Sequence, residues 1–517
     1  MIKVLPRQGR LKKDRAYYRA DGSRGPDWAI PNSDLNTALH AIKERVYLVK
    51  TDSGYLRPPA CTADVTTRCS AFLNDMRSSR LRHGRVSPVT PEEFLDEYSG
   101  IKRKRYERAQ VNLEDRGFRK SDATVKLFVK DEYLKPGGAP RAIQPRSPEF
   151  NICIGRYIKQ LEHPIYDAIN WSFSRKRRHK HTTVAKGMNQ EQRGAEIASM
   201  WDSFKHPVAL SFDAARWDQH ICEKKLRVEH SIYLDWCQRG NVTGLPALDE
   251  LLKHQLTNRG EYRGKDGTIK YKVKGCRMSG DMNTSMGNVI IMCMLMRTFF
   301  QELRIPQVEL LNDGDDCVII TEKKFVKKIL KSYQKWFYDF GVTMKLDGIG
   351  YSMEEIDFCQ CRPVCVDNKW VMVPRPTKRL YSDLITSKNV TTHTGFSKQM
   401  GAIAGCGLAG CSGVPIYQEF YTWMSKENRA WIPDENSYYY KYRDELVRGL
   451  AIRRKEISLK TRISFMLAHG TTPSEQILLE NYYRDKPPLI YSPPENITSR
   501  CLDPPQTICH PEQLPQT

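Results

Sequence analysis

Leu310-Leu311-Asn312-Asp313-Gly314-Asp315-Asp316-Cys317-Val318-Ile319-Ile320 sets two apolar runs on either side of an Asp-Gly turn signal. That pattern predicts a β-hairpin with carboxylates at its tip. Upstream, Val208-Ala209-Leu210-Ser211-Phe212 reads as a strand that ends at Asp213, with Asp218 shortly after. Strand ends and hairpin tips are places where side chains from neighbouring strands converge. Carboxylates brought to one point repel each other unless cations join them. Mg²⁺ suits such a place, because it takes oxygen ligands, keeps several waters and is completed by substrate phosphates. Two ions ~3.5–4 Å apart can activate an attacking oxygen and stabilise a leaving one. Gly314 before the paired aspartates lets a substrate come close to the turn.

Between these acidic elements stands Ser279-Gly280-Asp281-Met282-Asn283-Thr284-Ser285-Met286-Gly287-Asn288. Thr284 and Asn288 share one helical face, with Ser279 in the loop before it. The helix expected from Thr284 to Phe300 is apolar nearly all round, hence buried. After the hairpin, Phe325, Ile329, Tyr333, Trp336 and Phe337 line one face of an amphipathic helix ended by Gly341. Lys324, Lys327, Lys328, Lys331 and Lys335 lie elsewhere on that cylinder. Strands near 342–346 and 356–361 complete a βαββαβ-like unit. Earlier, Val125 to Val129 alternates like a strand, a Gly/Pro turn covers 136–140, and Arg141-Ala142-Ile143-Gln144-Pro145-Arg146 follows. Blocks 101–105 and 175–186 (Arg175, Lys176, Arg177, Arg178, Lys180, Lys186) are candidates for phosphate contacts, whose affinity would fall steeply with salt. The Pro-rich tail from 486 reads as extended or disordered.

The 517 residues carry 82 Lys+Arg against 60 Asp+Glu, a net charge of +22 that points to a polyanionic partner. Hydrophobic residues at 40% are enough for substantial cores, which excludes wholesale disorder. The longest apolar run is too short for a membrane span, and basic residues interrupt the opening segment, so integral membrane and secreted classes are not expected. Fifteen cysteines without paired spacing suggest reduced thiols, and Cys359-Gln360-Cys361 is too tight for a zinc knuckle. No Gly-x4-Gly-Lys-Ser/Thr loop is present, which argues against an ATPase or helicase.

Taken together and in order, these motifs resemble the RNA-dependent RNA polymerases of positive-strand RNA viruses, most closely those of tombusvirus-like plant viruses. Phe212–Asp218 resembles motif A, Ser279–Asn288 motif B and Gly314-Asp315-Asp316 motif C. The amphipathic helix with Lys345 resembles motif D, and Ile356–Gln360 motif E. Phe128-Val129-Lys130-Asp131-Glu132 with Pro140–Arg146 resembles motif F. The resemblance implies an α+β right hand with fingers, a palm of antiparallel sheet plus helices, and a mostly helical thumb. It would divide the chain into an N-terminal extension of unknown role (1–90), fingers (91–205 and 223–274), palm (206–222 and 275–365), thumb (366–485) and tail (486–517). It implies that Asp213 and Asp315 hold two Mg²⁺ ions, with Mn²⁺ able to substitute and Asp316 as auxiliary ligand. Asp218, Ser279, Thr284 and Asn288 would read the ribose, Lys130, Arg141 and Arg146 would face the triphosphate, and Lys345 would protonate pyrophosphate. Trp217 is expected to be packing. Implied partners are RNA template and product, ribonucleoside triphosphates, and a viral membrane-anchoring replication protein that brings the chain to host membranes in the cytoplasm; DNA is not implied. A reverse transcriptase is the nearest rival, and a non-enzymatic basic RNA-binding viral protein explains the charge but not the ordered carboxylates.

Overall fold

The computed structural model describes residues 2–9, 17–22, 30–51, 54–132, 134, 137–175, 180–238, 245–387, 390–428 and 447–492. Its centre is a four-stranded antiparallel sheet, built from β1 (Pro207–Ala214), β2 (Val308–Asp313), β3 (Asp316–Glu322) and β4 (Met344–Gly350) in the order β2-β3-β1-β4. Helices α1 (Glu223–Trp236), α2 (Thr284–Glu302) and α3 (Lys323–Asp339) pack around it. α2 is buried along nearly its whole length, as an all-round apolar sequence requires. α3 buries Ile329, Tyr333, Trp336 and Phe337 on the expected face, and Val326 rather than Phe325 completes the buried stripe. Gly341 ends it at φ +68, in the left-handed region; a Cβ there would lie 2.8 Å from Pro59 O. Trp217 is 2% exposed within the main core, as packing requires.

Two of the expected strands differ. Val125–Val129 is split: Val125–Lys126 runs parallel to Thr257–Arg263, whereas Phe128–Val129 pairs antiparallel with Ala142–Ile143. Residues 356–360 form a turn instead of a strand, because Cys359 (φ +52) and Gln360 (φ +61) are both left-handed and bring Phe358 back against Cys361. The strand proper begins at Cys361: β5 (Cys361–Val366) and β6 (Lys369–Pro374) make a separate hairpin. Beyond it, the helices His393–Cys411, Tyr417–Ser425, Leu459–His469 and Pro473–Asp485 enclose a second core with Phe420, Trp423 and Phe465.

The opening residues are not an appendage. Ile2–Pro6 pairs with Gly267–Lys274, and Tyr17–Arg19 pairs with Ile385–Ser387, so one short stretch adds strands to two different parts of the molecule. The first part of the tail is extended but docked. Leu489 is 4% exposed, Trp423 Nε1 donates to Pro487 O at 2.7 Å, and Asn428 Nδ2 donates to Leu489 O at 2.9 Å. Two prolines stop the helix, and one apolar anchor then holds the chain on the core. The remainder of the tail, 493–517, lies outside the described residues, as do Lys176, Arg177 and Arg178. Among the described residues no helix is long and apolar enough to cross a membrane.

Candidate active site

The site follows from strand register. Asp316 on β3 is paired with Asp213 on β1, and Asp213 is paired with Lys345 on β4, so the three residues form one row across neighbouring strands. Asp315 immediately precedes Asp316, which places its Cα within roughly 9 Å of that of Asp213. Gly314 and Asp315 are the two-residue hairpin loop, and Gly314 sits at φ +93, the positive φ such loops need at their first position. Asn312, fully buried, braces the loop: its Nδ2 donates to Gly314 O (2.8 Å) and Asp316 O (3.1 Å), and its Oδ1 accepts from Gly314 N (3.1 Å).

Asp218 follows β1 through a left-handed Arg216 (φ 49), whose guanidinium is pinned by Glu44 Oε2 at 3.0 Å. Asp218 hydrogen-bonds Asn288, and Asn288 lies beneath the loop, its Cβ 3.7 Å from where a Gly314 side chain would begin. Arg277 Nε donates to Asn288 Oδ1 at 3.2 Å, and the rest of its guanidinium pairs with Glu229 of α1; both partners are at most 1% exposed. The structure therefore brings Asp213, Asp218, Asn288, Asp315 and Asp316 together beside the hairpin loop. The hydroxyls of Ser279 and Thr284 are spent on backbone, donating to Ala142 O (3.1 Å) and Met278 O (2.9 Å). Gly287 is required here, because a Cβ would lie 2.3 Å from Glu229 Oε1 and 2.5 Å from an Arg277 Nη. Gly287→Ala is expected to destabilise the protein by about 1–3 kcal/mol, read as a lower urea midpoint.

The basic residues are used in different ways. Lys130 and Arg141 are joined through Glu132 (2.9 and 3.5 Å), and Arg141 is 54% exposed with its charge acting on Asp218 and Asp315. Arg146 does not reach these carboxylates. It is 1% exposed and holds Asp281 at 2.7 Å and Asn258, so it ties the strand at Ala142–Ile143 to the loop before α2. Lys186 pairs with Asp313, and Arg175, itself exposed, pairs with Asp75 at 2.6 Å, while Lys180 is exposed. Lys345 is exposed, at the strand position opposite Asp213. Sequence reasoning missed Asn312, Arg277 with Glu229, and Asp347. Asp347 sits at the irregularity between Leu346 and Gly348, where strand alternation breaks, and the buried pair leaves no sequence signal either.

Electrostatics show a site short of positive charge. Burial, then Asp315 and Asp213, push Asp316 up to about 7. Burial and Asp315 push Asp218 up to about 6, and burial with Asp347 and Asp315 raises Asp213. Oxygen-only donors whose charged forms repel each other fit a hard divalent cation. Among the described residues no set of three such ligands is already closed around one point. A cation completed by water and phosphate needs only one or two carboxylates. A carboxyl raised in the fold is most destabilising when ionised. In chelator, therefore, stability should fall as pH rises from about 4 through about 7. Asp316→Asn is expected to flatten that slope in thermal melts; an unchanged slope would remove Asp316 from the account.

A family model described as viral RNA dependent RNA polymerase matches residues 2–488. The RNA-directed RNA polymerase of Tobacco necrosis virus (strain A) is 35% identical over 498 residues, covering 93% of this chain and 65% of the relative. That of Melon necrotic spot virus is 36% identical over 494 residues, covering 93% and 60%. That of Turnip crinkle virus is 33% identical over 496 residues, covering 93% and 61%. The chain thus spans about 60–65% of the length of these relatives. The reverse-transcriptase and non-enzymatic readings are not favoured by these matches. With the carboxylate row and the family match in agreement, the chain belongs to the viral RNA-dependent RNA polymerase family.

Proposed function

We propose that the chain is an RNA-directed RNA polymerase that replicates a positive-strand plant-virus genome by templated, Mg²⁺-dependent ribonucleotide transfer. The observation that carries this reading is the register that sets Asp316 opposite Asp213, with Asp315 on the adjoining loop. In the reaction, the 3′-hydroxyl of the growing RNA attacks the α-phosphate of a ribonucleoside triphosphate and pyrophosphate leaves. Asp213 and Asp315 would hold two Mg²⁺ ions, or Mn²⁺ in their place, with Asp316 auxiliary. When bound, these ions supply charge neutralisation and activation of oxygen at the transferring phosphate. Arg141 and Lys130 would face the triphosphate. Arg146 keeps the position of both by bracing the segment behind them. Lys345 would give a proton to the departing pyrophosphate.

The ribose would be read by Asp218, Asn288, Ser279 and Thr284. A 2′-hydroxyl both donates and accepts, and a carboxylate beside a carboxamide answers both roles. Asn288→Ala or Asp218→Ala is expected to lower discrimination against deoxynucleotides by roughly 10–100-fold, measured as the ratio of kcat/KM for ribo- over deoxynucleotides. Equal ratios in variant and parent would exclude this set.

In this reading 91–205 and 223–274 are fingers, to which the strand Ile2–Pro6 adds by pairing with Gly267–Lys274. Residues 206–222 and 275–365 are palm, and 366–485 thumb. Partners would be RNA template and product, together with a membrane-anchoring viral replication protein that places the enzyme on host membranes in the cytoplasm. The direct test is purified chain, a short RNA, Mg²⁺ and labelled ribonucleotides. Templated product supports the proposal, and its absence under conditions where the chain binds RNA would overturn it.

A further inference from the structure

Outside the candidate site, one cluster of side chains has a chemistry that nucleotide transfer does not use. Cys222 occupies the N-cap of α1, and Cys61 comes from the segment preceding the helix Val65–Arg68. The two thiols act on each other, the Cys61 Sγ also donating to Ala63 O at 3.8 Å, and neither residue is fully buried. Lys225 lies beside them, fully buried; its Nζ donates to His220 O at 2.7 Å. Among the described residues its ammonium has no carboxylate partner, and the anionic groups acting on it are the two sulfurs. Burial lowers the Lys225 ammonium, and a thiolate on Cys222 is the counter-charge that would hold its proton there. The contact with Cys61, the Lys225 charge and the positive end of α1 all favour that thiolate, and hold the Cys222 thiol well below its ordinary range. The same contact raises Cys61. By contrast burial pushes up Cys359 and Cys361, the other half-buried thiols among the described residues.

We infer that Cys222 is a reactive thiolate with Cys61 as its resolving partner, together forming a redox-modification site that takes a hydroperoxide as oxidant. In the first step the Cys222 sulfur attacks one peroxide oxygen. An S–O bond forms, the O–O bond breaks, and the departing hydroxide takes a proton to leave as water. Cys61 then loses its proton and attacks the sulfenic sulfur. The S–S bond forms, the S–O bond breaks, and the hydroxide leaves with that proton as a second water. Two thiols and one hydrogen peroxide thus give one disulfide and two waters, with two electrons passing from the sulfurs to the peroxide. The bridge would fasten the Cys61 segment, whose neighbours Thr62 and Ala63 donate to Asp339 O at 3.0 Å each, to the start of α1.

The test uses the full chain, reduced, freed of reductant, exposed to hydrogen peroxide, blocked and mapped by peptide mass. A Cys61–Cys222 linked peptide, reversed by dithiothreitol, is expected. In the untreated protein Cys222 should be alkylated by iodoacetamide at least about tenfold faster than Cys359 near neutral pH. Cys61→Ser should stop at a Cys222 sulfenic acid that dimedone captures, and Lys225→Met should slow Cys222 alkylation about tenfold. If Lys225→Met does not fold, the wild-type peptide map decides alone. Absence of the linked peptide, or alkylation of Cys222 no faster than of Cys359, would overturn the inference. These readouts are covalent, so they hold whether or not the chain polymerises RNA.

Discussion

Asp315→Asn is expected to lower ribonucleotide incorporation roughly a thousandfold or more, the rate equivalent of losing several kcal/mol of transition-state stabilisation. RNA affinity should stay within about twofold, because it rests on Lys and Arg contacts to phosphate. Asparagine keeps the size and the loop geometry set by Gly314 and Asn312 but removes the charge that would grip a divalent ion. Asp213→Asn should behave alike, since register places it against the same row. The double variant should be little worse than either single one, as for groups acting as a unit. Single-turnover incorporation with saturating RNA, beside filter binding, measures both quantities. Near-normal synthesis in either variant would sink the metal assignment.

The second large effect concerns stability. Arg277 and Glu229 form an ion pair with at most 1% exposure on either side, and Asn283 Nδ2 also donates to Glu229 at 2.9 Å. Removing one partner strands a charge in the core, so Arg277→Met is expected to cost about 3–5 kcal/mol by urea unfolding. The double variant Arg277→Met/Glu229→Leu should recover much of that loss, because an apolar pair leaves no uncompensated charge. Any refolded Arg277→Met protein should also lose sugar discrimination, since Arg277 holds the Asn288 carboxamide by its oxygen. Equal stability of the single variant and its parent would show that the pair is not the anchor described.

The parts of the molecule most legible in its sequence are those where periodicity and chemistry coincide. The hairpin at Leu310–Ile320, the buried helix from Thr284 and the amphipathic helix before Gly341 all follow from local pattern. So does the meeting of Asp213 with Asp315 and Asp316, because strand ends converge. What stayed hidden depends on distant partners. Arg146 is locally indistinguishable from Arg141, and only its burial against Asp281 makes it a brace. Lys186 belongs to a basic block, yet Asp313 claims it. The turn at Cys359-Gln360 is made by two non-glycine residues at positive φ, so the usual turn signal is missing. The strands at Ile2–Pro6 and Tyr17–Arg19 carry too little alternation to announce partners so far along the chain.

Those first strands set a timetable for biosynthesis. Ile2 lies opposite Tyr271, and Tyr17 opposite Ser387. At ribosomal speeds of about 5–20 residues per second, the earlier strand waits roughly 15–50 s for its complement, and the later one roughly 20–75 s. Throughout that interval their backbone amides and carbonyls are open to chaperones or to a neighbouring nascent chain. Closure of the two pairings is therefore a late, post-nucleation event, and agents that slow elongation should lengthen the window in which the newborn chain aggregates.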